Sequence, residues 1–251
     1  MKLEVKNISK SFGDSKILED IDIYLERGEL VCLLGTSGGG KTTLFNIISG
    51  LMEPDKGSIY LDGEDITLKP GKISYMLQKD MMLPYKTVLD NVALPLMIRK
   101  DGHGRLGRKK RARKEAMKYF DEFGIAGYEK KYPSQMSGGM RQRAALLRTY
   151  LFSQEVALLD EPFSALDTIT KSAMHQWFLS VMEQIKMSTL FITHDIDEAI
   201  LLSDRIYILA GRPGKIVDEV KIELPKPRNR EIILSDEFIR YKRYIMEKIG
   251  S

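Results

Sequence analysis

The chain has 251 residues, 43% hydrophobic and 29% charged, a globular composition with room for one large domain or one domain carrying an insertion. Its 39 basic and 35 acidic residues leave a net charge of +4, too mild to make nucleic acid the main partner. No apolar run reaches membrane-spanning length, the N-terminal MKLEVKNISKSFGD lacks a secretory apolar core, and the lone cysteine, Cys32, excludes an internal disulfide or a cysteine-built metal cluster, so a cytoplasmic location is the default.

Strand-like alternation runs through Leu3–Lys6, Ile17–Leu25 and the apolar Leu30–Leu34, with turns at Gly13-Asp14 and Arg27-Gly28. Phe12, just before the first turn, is either a strand-end core residue or a platform on which a purine base stacks. Cys32 lies within the apolar strand and reads as a buried thiol.

That strand ends in GTSGGGKTT, and apolar Leu44, Ile47 and Ile48 then follow at helical spacing. Gly35, Gly40, Lys41 and Thr42 satisfy the pattern G-x-x-x-x-G-K-[ST] between a strand and a helix, as the phosphate loop requires. Glycines let backbone N–H groups converge on phosphate oxygens, and the helix N-terminus aims its unpaired donors at the same anion. Lys41 supplies a mobile charge for the β- and γ-phosphates, and the Thr42 hydroxyl is placed to hold Mg2+.

Gly50 and Pro54 stop the helix, and short strands follow near Gly57–Leu61 and Lys72–Leu77, with a turn at Asp62-Gly63 and Gln78 ending the second strand. Residues 81–98 are apolar although broken by Pro84 and Pro95. Residues 99–118 are strongly basic and lead into a helix over Gly107–Phe123, read as a solvated face or as a contact for anionic lipid head groups. His103 in this stretch has no partner in the pattern and reads as exposed.

Ser137-Gly138-Gly139 opens a helix, either as a simple N-cap or as a second anion nest. VALLDE, residues 156–161, is a buried strand with two carboxylates at its carboxyl end, the edge where ligands lie in open parallel sheets. Asp160 fits the Mg2+ contact of phosphate-loop enzymes, and Glu161 fits a base that polarises an attacking water. A helix over Thr168–Lys186 carries Ala173, Trp177, Val181 and Ile185 every fourth residue, with Met174, Phe178 and Met182 beside them as core; His175 reads as facing solvent. STLFIT, residues 188–193, is another buried strand, ending in His194, which is placed to reach a phosphate or, in a plainer reading, caps a turn. The helix Ile196–Leu202, strands Arg205–Leu209 and Lys215–Ile222, and a terminal helix from Ser235 complete the chain.

Together these motifs resemble one family, the ATP-binding subunits of ABC transporters, over residues 2–222. The loop 35–43 resembles Walker A, and the resemblance gives Gly35, Thr36, Ser37, Gly38, Gly39, Gly40, Lys41, Thr42 and Thr43 to ATP. Gln78 resembles the Q-loop glutamine, MSGGM (136–140) the signature, VALLDE Walker B, SALD (164–167) the D-loop and His194 the switch histidine. The signature departs from the commoner LSGGQ at Met136 and Met140, and Phe12 stands where tyrosine is more usual for base stacking. SGGMRQR, DEPFSALD, LPYKTVLDNVALPL and THDIDEAILLSDRIYILAGRPGKI resemble the importers of the nitrate, sulfonate and taurine group, some of whose members carry thiamine-precursor pyrimidines.

The resemblance implies an α/β fold: a phosphate-loop NTPase core of mostly parallel sheet with flanking helices, an N-terminal antiparallel β subdomain and a helical signature subdomain. The ATPase domain would span 1–222, with the helical part at 79–150, and 223–251 would form a tail with a short helix. It implies ATP with Mg2+ held by Thr42, Gln78 and Asp160, and catalysis by Glu161, His194 and Gln78. A second copy would cover the nucleotide with Ser137, Gly138 and Gly139, and transmembrane permease subunits would dock on residues 78–98 at the cytoplasmic face of the membrane, with a solute-binding protein as an indirect partner. The rival readings are a non-transport ABC ATPase, which usually has paired ATPase domains or coiled-coil insertions, and a GTPase-type switch, against which stands the lack of N-K-x-D.

Overall fold

The computed structural model describes residues 1–99 and 105–250, so His103 lies outside the described residues. In chain order the elements are β1 (Leu3–Phe12), β2 (Ser15–Leu25), β3 (Leu30–Gly35), α1 (Lys41–Ile48), β4 (Lys56–Leu61), β5 (Glu64–Asp65), β6 (Ser74–Met76), α2 (Val88–Val92), α3 (Leu94–Ile98), α4 (Arg105–Met117), α5 (Gly138–Phe152), β7 (Val156–Asp160), α6 (Thr168–Ile185), β8 (Ser188–Thr193), α7 (Ile196–Leu202), β9 (Arg205–Ala210), β10 (Lys215–Lys221) and α8 (Asp236–Gly250). They fall into two compact units: residues 1–75, 155–161 and 186–251, and residues 76–154 with 162–185.

The first unit holds two sheets. One is antiparallel, in the order β2-β1-β4-β5; the other runs β10-β9-β3-β8-β7-β6, with β9, β3, β8 and β7 parallel and β10 antiparallel on β9. Every residue of β3, β7 and β8 is buried, which is why these strands read as unbroken apolar runs rather than as alternation. Leu44, Phe45, Ile47 and Ile48 of α1 join Leu33, Leu158 and Ile192 of the sheet and Leu3, Ile8 and Ile21 of the antiparallel layer in one core. Parallel register sets Leu34 against Thr193 and Asp160 against Ile192, so β3, β7 and β8 end together. The two-residue β5, closing a hairpin over Asp62 (φ +49) and Gly63 (φ +80), was too short for any sequence pattern to show.

The second unit is helical. The segment 81–98, apolar but proline-broken, forms two short helices, α2 and α3, tied to the preceding turn by Asn91: its side chain accepts from Leu83 N–H and donates to the Leu83, Lys86 and Thr87 carbonyls. The basic helix α4 ends at Met117, and the expected continuation to Phe123 is a series of turns instead. On α6 the buried residues are Met174, His175, Phe178, Val181 and Met182, while Ala173 is exposed. A strict four-residue step drifts by about 40° per repeat on a 3.6-residue helix, so the row Ala173–Ile185 winds off the core face. His175, expected in solvent, is instead 8% exposed and packs edge-on against Phe163 with ring centroids 4.8 Å apart.

Candidate functional site

The phosphate loop is shaped by glycines that could not be anything else. A Cβ on Gly35 would sit 2.5 Å from the Leu209 carbonyl oxygen, and one on Gly40, at φ +91, would sit 2.8 Å from Leu18 Cδ2. Gly40 is also the N-cap of α1 and offers no side chain to its first-turn N–H groups, so the helix presents unclaimed donors and its positive dipole end to the loop's interior. Lys41 is buried, and its Nζ donates to the carbonyls of Gly35 at 2.9 Å and Thr36 at 2.8 Å. Burial lowers the pKa of its ammonium, opposed by the charges of Glu161 and Asp160. Thr36, Ser37, Gly38 and Thr42 are exposed around it, Gly39 is buried and Thr43 is half-buried.

Asp160, at the end of β7, is 6% exposed and accepts from Thr42 Oγ1 at 3.2 Å and from the Tyr75 hydroxyl at 3.4 Å. Burial, and then the neighbouring Glu161 charge, raise its pKa above the usual carboxylate range; burial and Asp160 likewise raise that of Tyr75. Glu161 is held in the left-handed region, at φ +44, with its N–H donating to the Ile192 carbonyl at 3.1 Å. Such strain in a residue with a side chain costs about 1–3 kcal/mol and concentrates at functional positions. His194 Nδ1 lies 3.2 Å from Glu161 Oε1. The first unit therefore gathers the loop, Lys41, Thr42, Asp160, Glu161 and His194 at the carboxyl ends of β3, β7 and β8, where open α/β sheets bind ligands.

Phe12 ends β1 and is 49% exposed, which removes the core reading and leaves a free ring face, with Lys10 Nζ 5.7 Å from its centroid. Ser137, Gly138, Gly139 and Gln78 belong to the second unit. Ser137 caps α5 by accepting from Met140 N–H at 3.3 Å, and a Cβ on Gly139 would press to 3.3 Å from Thr170 Cγ2, so α5 and α6 pack closely there. Strand β6 ends at Met76, so Gln78 lies beyond it, in a cleft of about 630 Å³ with Gly138, Arg141, Gln142 and Ser164.

Two features escaped the sequence. Tyr75 is a strand tyrosine whose bond to Asp160 no pattern announces. The turn Gly211–Gly214 buttresses the phosphate loop. Gly214 exchanges backbone bonds with Ile17 and Glu19, a Cβ on it would sit 2.5 Å from the Gly39 carbonyl oxygen, and Arg212 Nη2 lies 3.7 Å from where a Gly38 Cβ would be. The two glycines around Arg212-Pro213 were the available signal.

The residues present fit a nucleotide polyphosphate with its cation. The loop has no side chain in the way and carries an uncapped helix start and an ammonium. Thr42 and Asp160 form a hard, oxygen-only donor pair of the kind that shares Mg2+ with phosphates; groups of three or more His, Cys, Asp or Glu able to hold a metal by themselves are absent among the described residues.

Fold and site together define a phosphate-loop nucleotide-binding cassette. Residues 18–164 match the family model described as ABC transporter. The formylaminopyrimidine import ATP-binding protein of Halalkalibacterium halodurans is 43% identical over 88% of this chain and 84% of its own. An aliphatic sulfonates import ATP-binding protein of Bacillus cereus is 38% identical over 97% and 92%. A solved dimeric ATP-binding cassette in a post-hydrolysis state with ADP and Pi is 28% identical, superposes with a TM-score of 0.71 and covers 89% of this chain and 100% of its own. The chain belongs to the ABC transporter family, among its ATP-binding subunits.

Proposed function

We propose that the chain binds and hydrolyses ATP with Mg2+ to drive import of a small solute, as one of two copies attached to membrane permease subunits. The observation that carries this reading is the convergence of Lys41, Thr42, Asp160, Glu161 and His194 on one sheet edge beside an uncapped helix start.

Phosphoryl transfer to water demands positioning and charge stabilisation more than covalent help. The amides of residues 36–43 and Lys41 orient the β- and γ-phosphates, and Phe12 stacks on the base. Thr42, Gln78 and Asp160 would hold Mg2+, directly or through water; the ion would supply neutralisation of the phosphate charge. Glu161 orients and deprotonates the attacking water, and His194 contacts the γ-phosphate and steadies Glu161. Ser137, Gly138 and Gly139 of a second copy cover the open side of the phosphates, giving a head-to-tail dimer that ATP glues together and hydrolysis releases.

Residues 78–98 serve as the permease docking surface. This otherwise apolar stretch leaves Met81 57%, Tyr85 73% and Ile98 63% exposed, which suits a partner-covered surface. No described helix is long and apolar enough to cross a membrane; docking on the permease brings the subunit to the cytoplasmic face, with a solute-binding protein delivering cargo on the far side. Relatives named for aliphatic sulfonate and formylaminopyrimidine import support a small-solute cargo, and the sequence resemblance extends the choice to nitrate- or taurine-like anions. The test is co-purification with candidate permease subunits, followed by ATP and GTP turnover in reconstituted vesicles. Solute-stimulated ATP hydrolysis supports the reading; a chain that turns over nucleotide but never associates with a permease would be a non-transport ATPase.

A further inference from the structure

The charge of this molecule is concentrated in one helix. Helix α4 contains seven Lys or Arg and a single Glu, a net +6 in a chain whose total is +4, so the remainder sits at −2. The helix is anchored by its other side: Ala112 and Ala116 are buried, and α4 packs on α2 and α3. Arg113 is committed to Asp90 through two bonds, Nε to Oδ1 at 2.6 Å and Nη2 to Oδ2 at 2.7 Å, and Lys109 stands 3.7 Å from the same carboxylate. Three further cations point elsewhere. Lys110, Arg111 and Lys114 are all exposed and fall within about 100° of helical arc, roughly opposite the two alanines. Neither Lys110 nor Lys114 has an acidic partner among the described residues. Lys118, just past the helix, is exposed at the same end and, among the described residues, pairs with Glu115.

We propose that the Lys110–Arg111–Lys114 face of α4 binds the anionic head groups of the membrane on which this subunit works. A nearly flat cationic stripe complements a sheet of phosphate charge, and each Lys or Arg near an anionic surface strengthens binding several-fold. The stripe carries no aromatic residue to stack a base, and the apolar side chain beside it is the exposed Met117, so it favours a lipid surface over single-stranded nucleic acid and predicts adsorption with at most shallow insertion. Such a contact would hold the subunit beside the bilayer independently of the permease, and it does not depend on the nucleotide chemistry.

The experiment uses the full chain and sedimentation with two vesicle populations, pure phosphatidylcholine and phosphatidylcholine containing about one-third phosphatidylglycerol. The variant replaces Lys110, Arg111 and Lys114 with Gln, which keeps helix propensity and touches no residue placed at the nucleotide. The chain should partition onto the anionic vesicles only, lose that partitioning as salt rises from about 50 to about 500 mM, and lose on the order of 100-fold in the triple variant, whose ATP turnover in solution should equal the parent's. Equal partitioning onto both vesicle types, or an unaffected variant, overturns the proposal. So does salt-matched binding to duplex DNA as tight as that to the anionic vesicles, which would make the stripe a nucleic-acid surface.

Discussion

His194 Nδ1 and Glu161 Oε1 approach to 3.2 Å although one side chain leaves the end of β8 and the other the end of β7. Parallel pairing of those strands, with Asp160 opposite Ile192, brings the two together, and the Glu161 N–H bond to the Ile192 carbonyl fixes the turn. A carboxylate held against an imidazole at a strand edge is a base with its orientation already set. Glu161→Gln keeps the size and the hydrogen bonding but removes the proton acceptor. ATP turnover should fall by about 10² to 10⁴, while nucleotide binding persists and an ATP-dependent dimer accumulates on size-exclusion chromatography. Turnover at the parent rate would remove Glu161 from the chemistry.

The buttress behind the phosphate loop gives a second expectation. Gly214 lies outside the left-handed region, so alanine is compatible with its backbone, yet the added Cβ would meet the Gly39 carbonyl oxygen at 2.5 Å. One of the two must move, and Gly39 belongs to the loop that orients phosphate. Gly214→Ala should weaken fluorescent ATP-analogue binding by about 10-fold or more with an unchanged far-UV spectrum, since small displacements at a positioning loop have large effects. Gly13→Ala is the control. Nothing lies within 4 Å of its Cβ and its φ is +56, so it should cost about 1 kcal/mol of stability and leave affinity alone.

The parts of this site legible in sequence were those whose chemistry demands fixed spacing within one segment. The loop 35–43, the Asp160-Glu161 pair and the Ser137 cap each announced themselves locally. What stayed hidden depends on segments far apart in the chain. Tyr75 reaches Asp160 across 85 residues, and Gly214 meets Gly39 only because β9 lies beside β3. His175 was misplaced for a different reason: an edge-on contact with Phe163 buries an imidazole that polarity alone assigns to water.

Ser137 has one role visible in the structure and another assigned by resemblance, and a single substitution separates them. As a cap it accepts from Met140 N–H, a duty aspartate performs equally well. Ser137→Asp should therefore leave stability within about 0.5 kcal/mol of the parent. It would also place a negative charge against the triphosphate held by a second copy. Like-charge apposition at an interface costs several kcal/mol, so ATP-dependent dimerisation should weaken by at least about 10-fold while ATP binding to the single subunit is retained. Unaltered dimerisation would place the signature serine away from the nucleotide.

The helical unit should show acid sensitivity of a defined sign through Asp90. Its hydrogen bonds to Arg113 hold the carboxyl below its ordinary value, outweighing the burial that pushes the other way. A carboxylate depressed in the folded state stabilises the fold above its unfolded pKa, about 3.9, and loses that contribution as pH falls through the depressed folded value. Arg113 keeps 40% of its side chain in solvent, so screening limits the pair to about 1 kcal/mol. Asp90→Asn should lower urea-unfolding stability by that amount near pH 7, and the gap between variant and parent should narrow as the pH falls below the unfolded value of about 3.9 and through the depressed folded one. A gap that persists undiminished in acid would mean that Asp90 matters through the shape of α2, whose buried face it shares with Val88 and Asn91, and not through its charge.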